Sequence, residues 1–153
     1  MPSTSRMTPD DVFLLATGQT LNTKHVFTKK LEYQMTALAV AVAEHAFAVA
    51  EGNILIKRIV LISSNAFTGN AACYQWKVKN KGVLGTGTTV IVDFAADTAT
   101  TDNLVAFVPK VLYAPVNPLA VKNGETLSIE VIKNGSPANF DGVLIVEYVP
   151  AID

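Results

Sequence analysis

Apolar and polar residues alternate with a period of two along most of the chain that follows Leu31. This period places successive side chains on opposite faces of a β-strand. Residues 126–132 alternate most regularly, residues 143–149 form a final apolar run, and residues 54–62 form a strongly β-branched run. We therefore predict strands at these three places and assign the run at 54–62 to a central strand.

Turn signals separate the apolar runs. Asn and Gly, which tolerate tight turns, recur at residues 51–53, 80–82, 122–124 and 133–135. The signals divide the chain into seven or eight short strands about ten residues apart, without helices between them. This organisation is typical of an all-β fold, and we predict an antiparallel, jelly-roll-like β-sandwich with a short N-terminal arm or helix.

Two segments leave the strand pattern open. Within residues 37–50 the apolar parity changes at Glu44-His45, which predicts a β-bulge or a strand that crosses between sheets. The alanines of this segment also permit an amphipathic helix. Pro109 interrupts the apolar run 104–113, so we place that strand at a sheet edge or a bulge.

The N-terminal segment has a different pattern. Thr8, Pro9 and two aspartates form a helix-start signal, and Gly18 would end that helix after about two turns. The apolar run 12–15 is too large for so short a helix to hide, so it needs another surface to cover. We divide the chain into an arm with a short helix (1–28) and a β-sandwich (29–153). The predicted protein-interface residues are Val12, Phe13, Leu14, Leu15, Val26 and Phe27.

Composition limits the partners. Half of the 153 residues are hydrophobic, only 16% are charged, and the formal charge is −1, which excludes a charge-driven disordered chain. A surface with so few charges either exposes small polar residues or hides apolar area against copies or a partner. Nucleic acid is not an expected partner, because it requires clustered cations. The lysines at 77, 79 and 81 alternate along a strand and are interpreted as a solvated strand face.

No segment predicts secretion or membrane insertion. Residues 12–16 are too short for the apolar core of a signal peptide, and Asp10-Asp11 precede them where positive charge is expected. The Ala-rich run 37–43 is far shorter than the roughly 20 residues of a membrane span. We therefore expect no membrane partner.

The sequence holds no phosphate-binding loop, nucleophile elbow or zinc-binding motif. His25 and His45 with Glu44 or Glu51 could hold a metal only if they converged, and ordinary histidines are favoured. Asp93, Asp97 and Asp102 could bind calcium, but a solvated loop is favoured. We therefore expect no enzyme activity, no cofactor, no metal and no catalytic residue.

Single residues leave further alternatives. Asp93 could pair with Glu130 or Glu147 as in a glycosidase, although nothing in the sequence brings them together. Trp76 and Tyr74 share a strand face and could form a sugar-binding platform with Phe67 and Tyr113, but core packing is favoured. The lone Cys73 is interpreted as a small core residue.

The segments VKNGETLSI (121–129) and GVLIVEYVP (142–150), with the small-residue strand and IxIxxIxLI run of residues 37–64, carry a resemblance. The chain resembles the jelly-roll or β-sandwich head decoration (cement) proteins of tailed bacteriophages. The resemblance implies a structural virion protein, made in the host cytoplasm, that forms a homo-oligomer, preferably a trimer, and clamps major capsid protein subunits. The alternatives are a phage tail or fibre module and a carbohydrate-binding β-sandwich.

Overall fold

The computed structural model describes residues 28–35, 42–68, 73–97 and 103–151, and these contain nine β-strands and no helix. Every strand pairing is antiparallel. No helix in these ranges could span a membrane. The strands are β1 (Lys29–Met35), β2 (Val42–Val49), β3 (Ile54–Ser63), β4 (Tyr74–Asn80), β5 (Thr89–Ala95), β6 (Lys110–Tyr113), β7 (Leu119–Val121), β8 (Thr126–Lys133) and β9 (Gly142–Pro150).

The strands form two sheets. The first sheet has the order β1-β9-β3-β6, with β7 also paired to β3, and the second has the order β2-β8-β4-β5. β6 and β7 lie beside different halves of β3, so they share one position in the sheet. With those two strands counted as one, the orders become 1-8-3-6 and 2-7-4-5, the strand order of a jelly roll. The predicted fold class is confirmed.

The core lies between the sheets and is rich in aromatic rings. Trp76 of β4 packs edge-on against Phe140 with 4.9 Å between ring centroids, and Tyr74 lies 5.8 Å from the same ring. Aliphatic side chains of β3, β8 and β9 complete the core, because alternate residues of each strand point inward. The two-residue period seen in the sequence is thus the inward face of each strand.

Glycines fix two places where the chain turns or approaches itself closely. Gly124 has φ 82° in the turn between β7 and β8, a region that favours glycine. A side chain on Gly142 would meet the carbonyl oxygen of Ile62 and the ring of Phe140. The start of β9 therefore packs against β3 only because residue 142 has no side chain.

The structure corrects the segment around β2. Residues 42–49 form a strand, so the alternative helix is wrong there. The register shift lies between Ala46 and Ala48 and not at Glu44-His45. Glu44 keeps its place on the outer face, and the extra residue is Phe47, whose ring lies 5.8 Å from that of Tyr33. The bulge therefore adds an aromatic ring to the packing between the sheets.

Candidate docking surface

The outer face of the second sheet is covered by paired charges. Lys79 of β4 lies 2.9 Å from Glu130 of β8 and 3.8 Å from Glu44 of β2, while Lys81 lies 3.0 Å from Glu44. Glu44 also accepts a 2.8 Å hydrogen bond from the hydroxyl of Ser128. The three lysines share one outward face as predicted, but they are ion-paired and largely shielded and do not form a solvated face.

Two glutamates of this sheet are held in their charged form. The pKa of Glu44 is lowered, first by the hydrogen bond from Ser128 and then by that from Lys81. The pKa of Glu125 is lowered by the side chain of Asn80, 2.7 Å away, and by the backbone amide of Lys122, 2.9 Å away. Hydrogen bonds to a carboxylate favour its ionised state.

The outer face of the first sheet is apolar over its central strands. β3 and β9 run side by side, with Val60 opposite Ile145 and Ile62 opposite Val143, and none of these four side chains belongs to the core. Val111 of β6 lies opposite Val60 and extends the same row. We call these five residues the apolar face. A strand that is apolar on both sides is typical of a sheet covered on both sides.

Val60 shows how tightly this face packs. Its side chain points away from the core, yet it is only 3% exposed. The flanking residues Ile145 and Val111 cover it from both neighbouring strands. The outer face therefore has its own small apolar cluster, which one further layer could seal from water.

A charged row borders the apolar face at one end. Glu147 of β9 lies directly opposite Arg58 of β3, with 4.0 Å between Arg58 Nε and Glu147 Oε2, and Lys30 of β1 approaches Glu147 to 3.8 Å. The row contains both signs of charge on neighbouring strands.

A strained turn lies at the opposite end of the face. The amide of Phe107 donates to the carbonyl of Ser63, the last residue of β3. Phe107 has φ 59° and is 75% exposed. Val108 donates to the carbonyl of Val105, which gives a type II turn with Phe107 at the position that favours glycine. An exposed aromatic ring in a glycine conformation indicates a functional constraint.

A second apolar feature lies at the end of the sandwich opposite Phe107. Leu84, 87% exposed, projects from the turn between β4 and β5, and Val83 beside it is also exposed. A groove of about 540 Å³ lies at this end between the two sheets, and its lining includes Lys29, Phe47 and Tyr148. Because Lys29 begins β1, the N-terminal segment joins the sandwich at this groove.

The structure places few of the sequence-predicted site residues. All six predicted interface residues lie outside the described ranges: Val12, Phe13, Leu14, Leu15, Val26 and Phe27. The predicted helix at 8–18 also lies outside them.

The sugar-binding platform is wrong. Trp76 and Tyr74 are fully buried, because their shared strand face points into the core and not to solvent. Phe67 packs edge-on against Tyr74 at 5.9 Å from within the same cluster. Cys73 is buried as predicted.

The acidic residues of the alternative glycosidase pair are separated by other elements of the fold. Asp93 and Glu130 both lie opposite Lys77 on the second sheet, and Asp93 is paired with that lysine at 3.6 Å. Glu147 lies on the outer face of the other sheet, so the sandwich separates it from Asp93. In the ranges that the structure describes, no three His, Cys, Asp or Glu side chains are placed to hold a metal ion.

Comparison with protein-family models and with curated proteins gives no match to this chain. Among solved structures, the chain is similar to a chain in the structure of infectious bursal disease virus, Gx strain, with 12% sequence identity and a TM-score of 0.27. The similarity covers 79% of this chain and 29% of that chain, so this chain spans less than a third of its length.

Proposed function

We propose that this chain is a structural virion protein that decorates and stabilises a phage capsid by binding between major capsid protein subunits. The observation that carries the proposal is that the two outer faces of the sandwich differ in charge and in apolar character. The charges of one face pair with each other, whereas the other face carries the apolar face, whose side chains are half-buried apart from the buried Val60 and the 45% exposed Val111. A surface of this kind is stabilised by contact with another protein.

The two parts of the chain have different roles in this proposal. The arm, residues 1–28, contacts the major capsid protein through its apolar residues at 12–15, and the sandwich associates with its own copies. In this proposal the arm leaves the sandwich at Lys29, which lines the groove. The resemblance to decoration proteins favours a trimer, but the proposal requires only that the sandwich associates with its own copies.

Burial alone can supply the binding energy. Removing apolar area from water contributes roughly 25 cal/mol per Å² before the costs of association. An oligomer that holds several arms against one lattice multiplies the affinity of each arm through effective concentration. No chemical step is needed to hold a shell together in this way.

Binding to expanded heads tests the proposal. The full chain is mixed with heads assembled from the major capsid protein encoded nearest to its gene, and the bound fraction is measured by sedimentation. We expect saturable binding at a fixed number of sites and a higher temperature of head disruption. Absence of binding to heads, or a gene placed among tail genes with binding to tails instead, would overturn the capsid role.

A further inference from the structure

We infer that the apolar face is a contact between two copies of this chain. The copies are related by a two-fold axis that lies above the face, parallel to the strands and over the line between β9 and β3. This contact deepens the self-association in the proposed function and rests on it for its role in the virion. The composition, the register and the charges of the face all favour a second copy of this chain as its partner.

The composition of the face fits a permanent contact between identical chains. Its two central rows, Ile145 with Val60 and Val143 with Ile62, contain no charged residue on β9 or β3. Interfaces of homodimers are more apolar than those of partners that meet and part, and their centres are depleted in charge. A face that is apolar in the free chain is best covered as soon as a second copy is present.

The register makes the face complementary to itself. A two-fold axis between β9 and β3 lays β9 of one copy over β3 of the other at the same height. Ile145 then meets Val60 of the second copy, and Val143 meets its Ile62, since these residues lie directly opposite in the sheet. Two sheets stacked in this way can pack like the layers of a sandwich.

The charged row selects this axis over the alternative. The same rotation brings Glu147 over Arg58 of the second copy, and Arg58 over its Glu147, so these two central charges meet their opposites. The exposed Glu32 of β1 lies at the edge of the contact over Val111 of the second copy. A two-fold axis perpendicular to the strands would lay the charged row on the apolar rows and bury unpaired charge. Charge complementarity therefore favours the axis parallel to the strands.

The mass of the full chain in solution, measured by light scattering across a wide range of concentrations, tests the contact. We expect a dimer of about twice 16.3 kDa. A monomer at every concentration overturns the contact, and so does a trimer, because a two-fold contact closes with two copies. Head binding is measured separately, and a dimer that binds no heads overturns only the capsid role.

A matched pair of substitutions locates the contact. Ile145→Lys adds a charge to the apolar face and should shift the protein to monomer. Ile132→Lys makes the same change at a half-buried outward position of β8 on the other sheet, and should leave the dimer intact. Equal effects of the two variants, or a dimer unaffected by Ile145→Lys, would show that copies meet elsewhere.

Charge exchange tests the axis without altering the apolar residues. Arg58→Glu or Glu147→Arg alone places like charges opposite each other across the axis and should weaken the dimer at least tenfold. The double variant restores opposite charges and should recover most of the wild-type affinity. Single variants that dimerise as well as the wild type, or a double variant with no recovery, would overturn this axis. Circular dichroism of each variant confirms the fold.

Discussion

Phe107 combines two features that a stable loop normally avoids. Its ring is in water, and its backbone adopts a left-handed conformation that costs a bulky residue about 1 kcal/mol or more. The turn is hydrogen-bonded to Ser63, the residue after Ile62, so the exposed ring lies near one end of the apolar face. We therefore expect the Phe107 ring to contribute to association and not to folding, which accounts for the backbone strain.

Phe107→Gly separates these two contributions. Glycine relieves the strain but gives the unfolded chain more freedom, so the free energy of unfolding should change by less than about 1 kcal/mol. The dimer should become weaker, because a large exposed ring has been removed. Urea unfolding and light scattering measure the two quantities. A loss of stability well above 2 kcal/mol would show that the ring supports the fold instead.

Glu125 predicts how the sandwich responds to acid. Its carboxylate accepts hydrogen bonds from Asn80 and from the amide of Lys122, which lower its pKa in the folded chain. A lowered folded pKa stabilises the protein above the unfolded pKa of about 4.3, and this stability is lost as the pH falls through the folded pKa.

Glu125→Gln should therefore destabilise the protein by about 1 kcal/mol at neutral pH and progressively less below pH 4. Thermal unfolding across this range measures the difference in Tm from the wild type. Glu51→Gln is the control, because it removes an exposed charge at the same end of the sandwich. A constant difference in Tm at all pH values would contradict the role of ionised Glu125.

At the scale of the strands, one lysine joins three of the four strands of the second sheet. Glu44 and Glu130 lie directly opposite each other on β2 and β8, where like charges repel. Lys79 of β4 contacts both, and its side chain is only 12% exposed. Lys77 on the same strand lies 3.6 Å from Asp93, in a more open position.

Lys79→Met should consequently cost about 1–2 kcal/mol in free energy of unfolding, whereas Lys77→Met should cost less than 1. Added salt should narrow the gap, because it screens the repulsion between the two glutamates left behind. Urea unfolding at low and high salt measures both variants. Equal costs for both variants at low salt would mean that Lys79 does not hold the two carboxylates together.

The strands that the sequence predicts well are those with one solvent-facing side and one side in the core. In β4 and β8, alternation and flanking Asn-Gly turns determine both the strand and the direction of each side chain. β2 was harder, because alanine fits either face, and the bulge at Phe47 became identifiable only from its pairing with β8. Small residues carry little information about which way a strand faces.

The apolar face was missed although its signal is in the sequence. Residues 54–62 and 143–149 are apolar at both parities, which points to a sheet covered on both sides. The choice of the arm as the interface followed from the run at 12–15 instead. Register between β3 and β9, which places the four residues of the two strands side by side, depends on pairing over some 80 residues of chain and is not visible locally.

At the scale of the whole molecule, the surfaces of the sandwich differ in chemical character. One outer face carries paired charges, the other carries the apolar face, and Lys29, the first residue after the arm, lines the groove between the sheets. Among the residues that the structure describes, the buried core lies between Met35 and Val146, so we expect the sandwich to fold without the arm. Loss of the arm should therefore leave the fold and the dimer of the sandwich intact, and loss of the dimer should leave the arm able to bind heads.

Deleting residues 1–18 tests that independence. The truncated chain should keep the Tm and the dimer of the full chain, because no residue of the described core is removed, but it should lose binding to heads. Ile145→Lys should do the opposite: it should abolish the dimer yet still bind heads, with lower apparent affinity because two linked arms have become one. Sedimentation with heads and light scattering distinguish the two variants. Head binding that survives the deletion would assign the capsid contact to the sandwich, where the exposed Leu84 at the groove end is then the first residue to test.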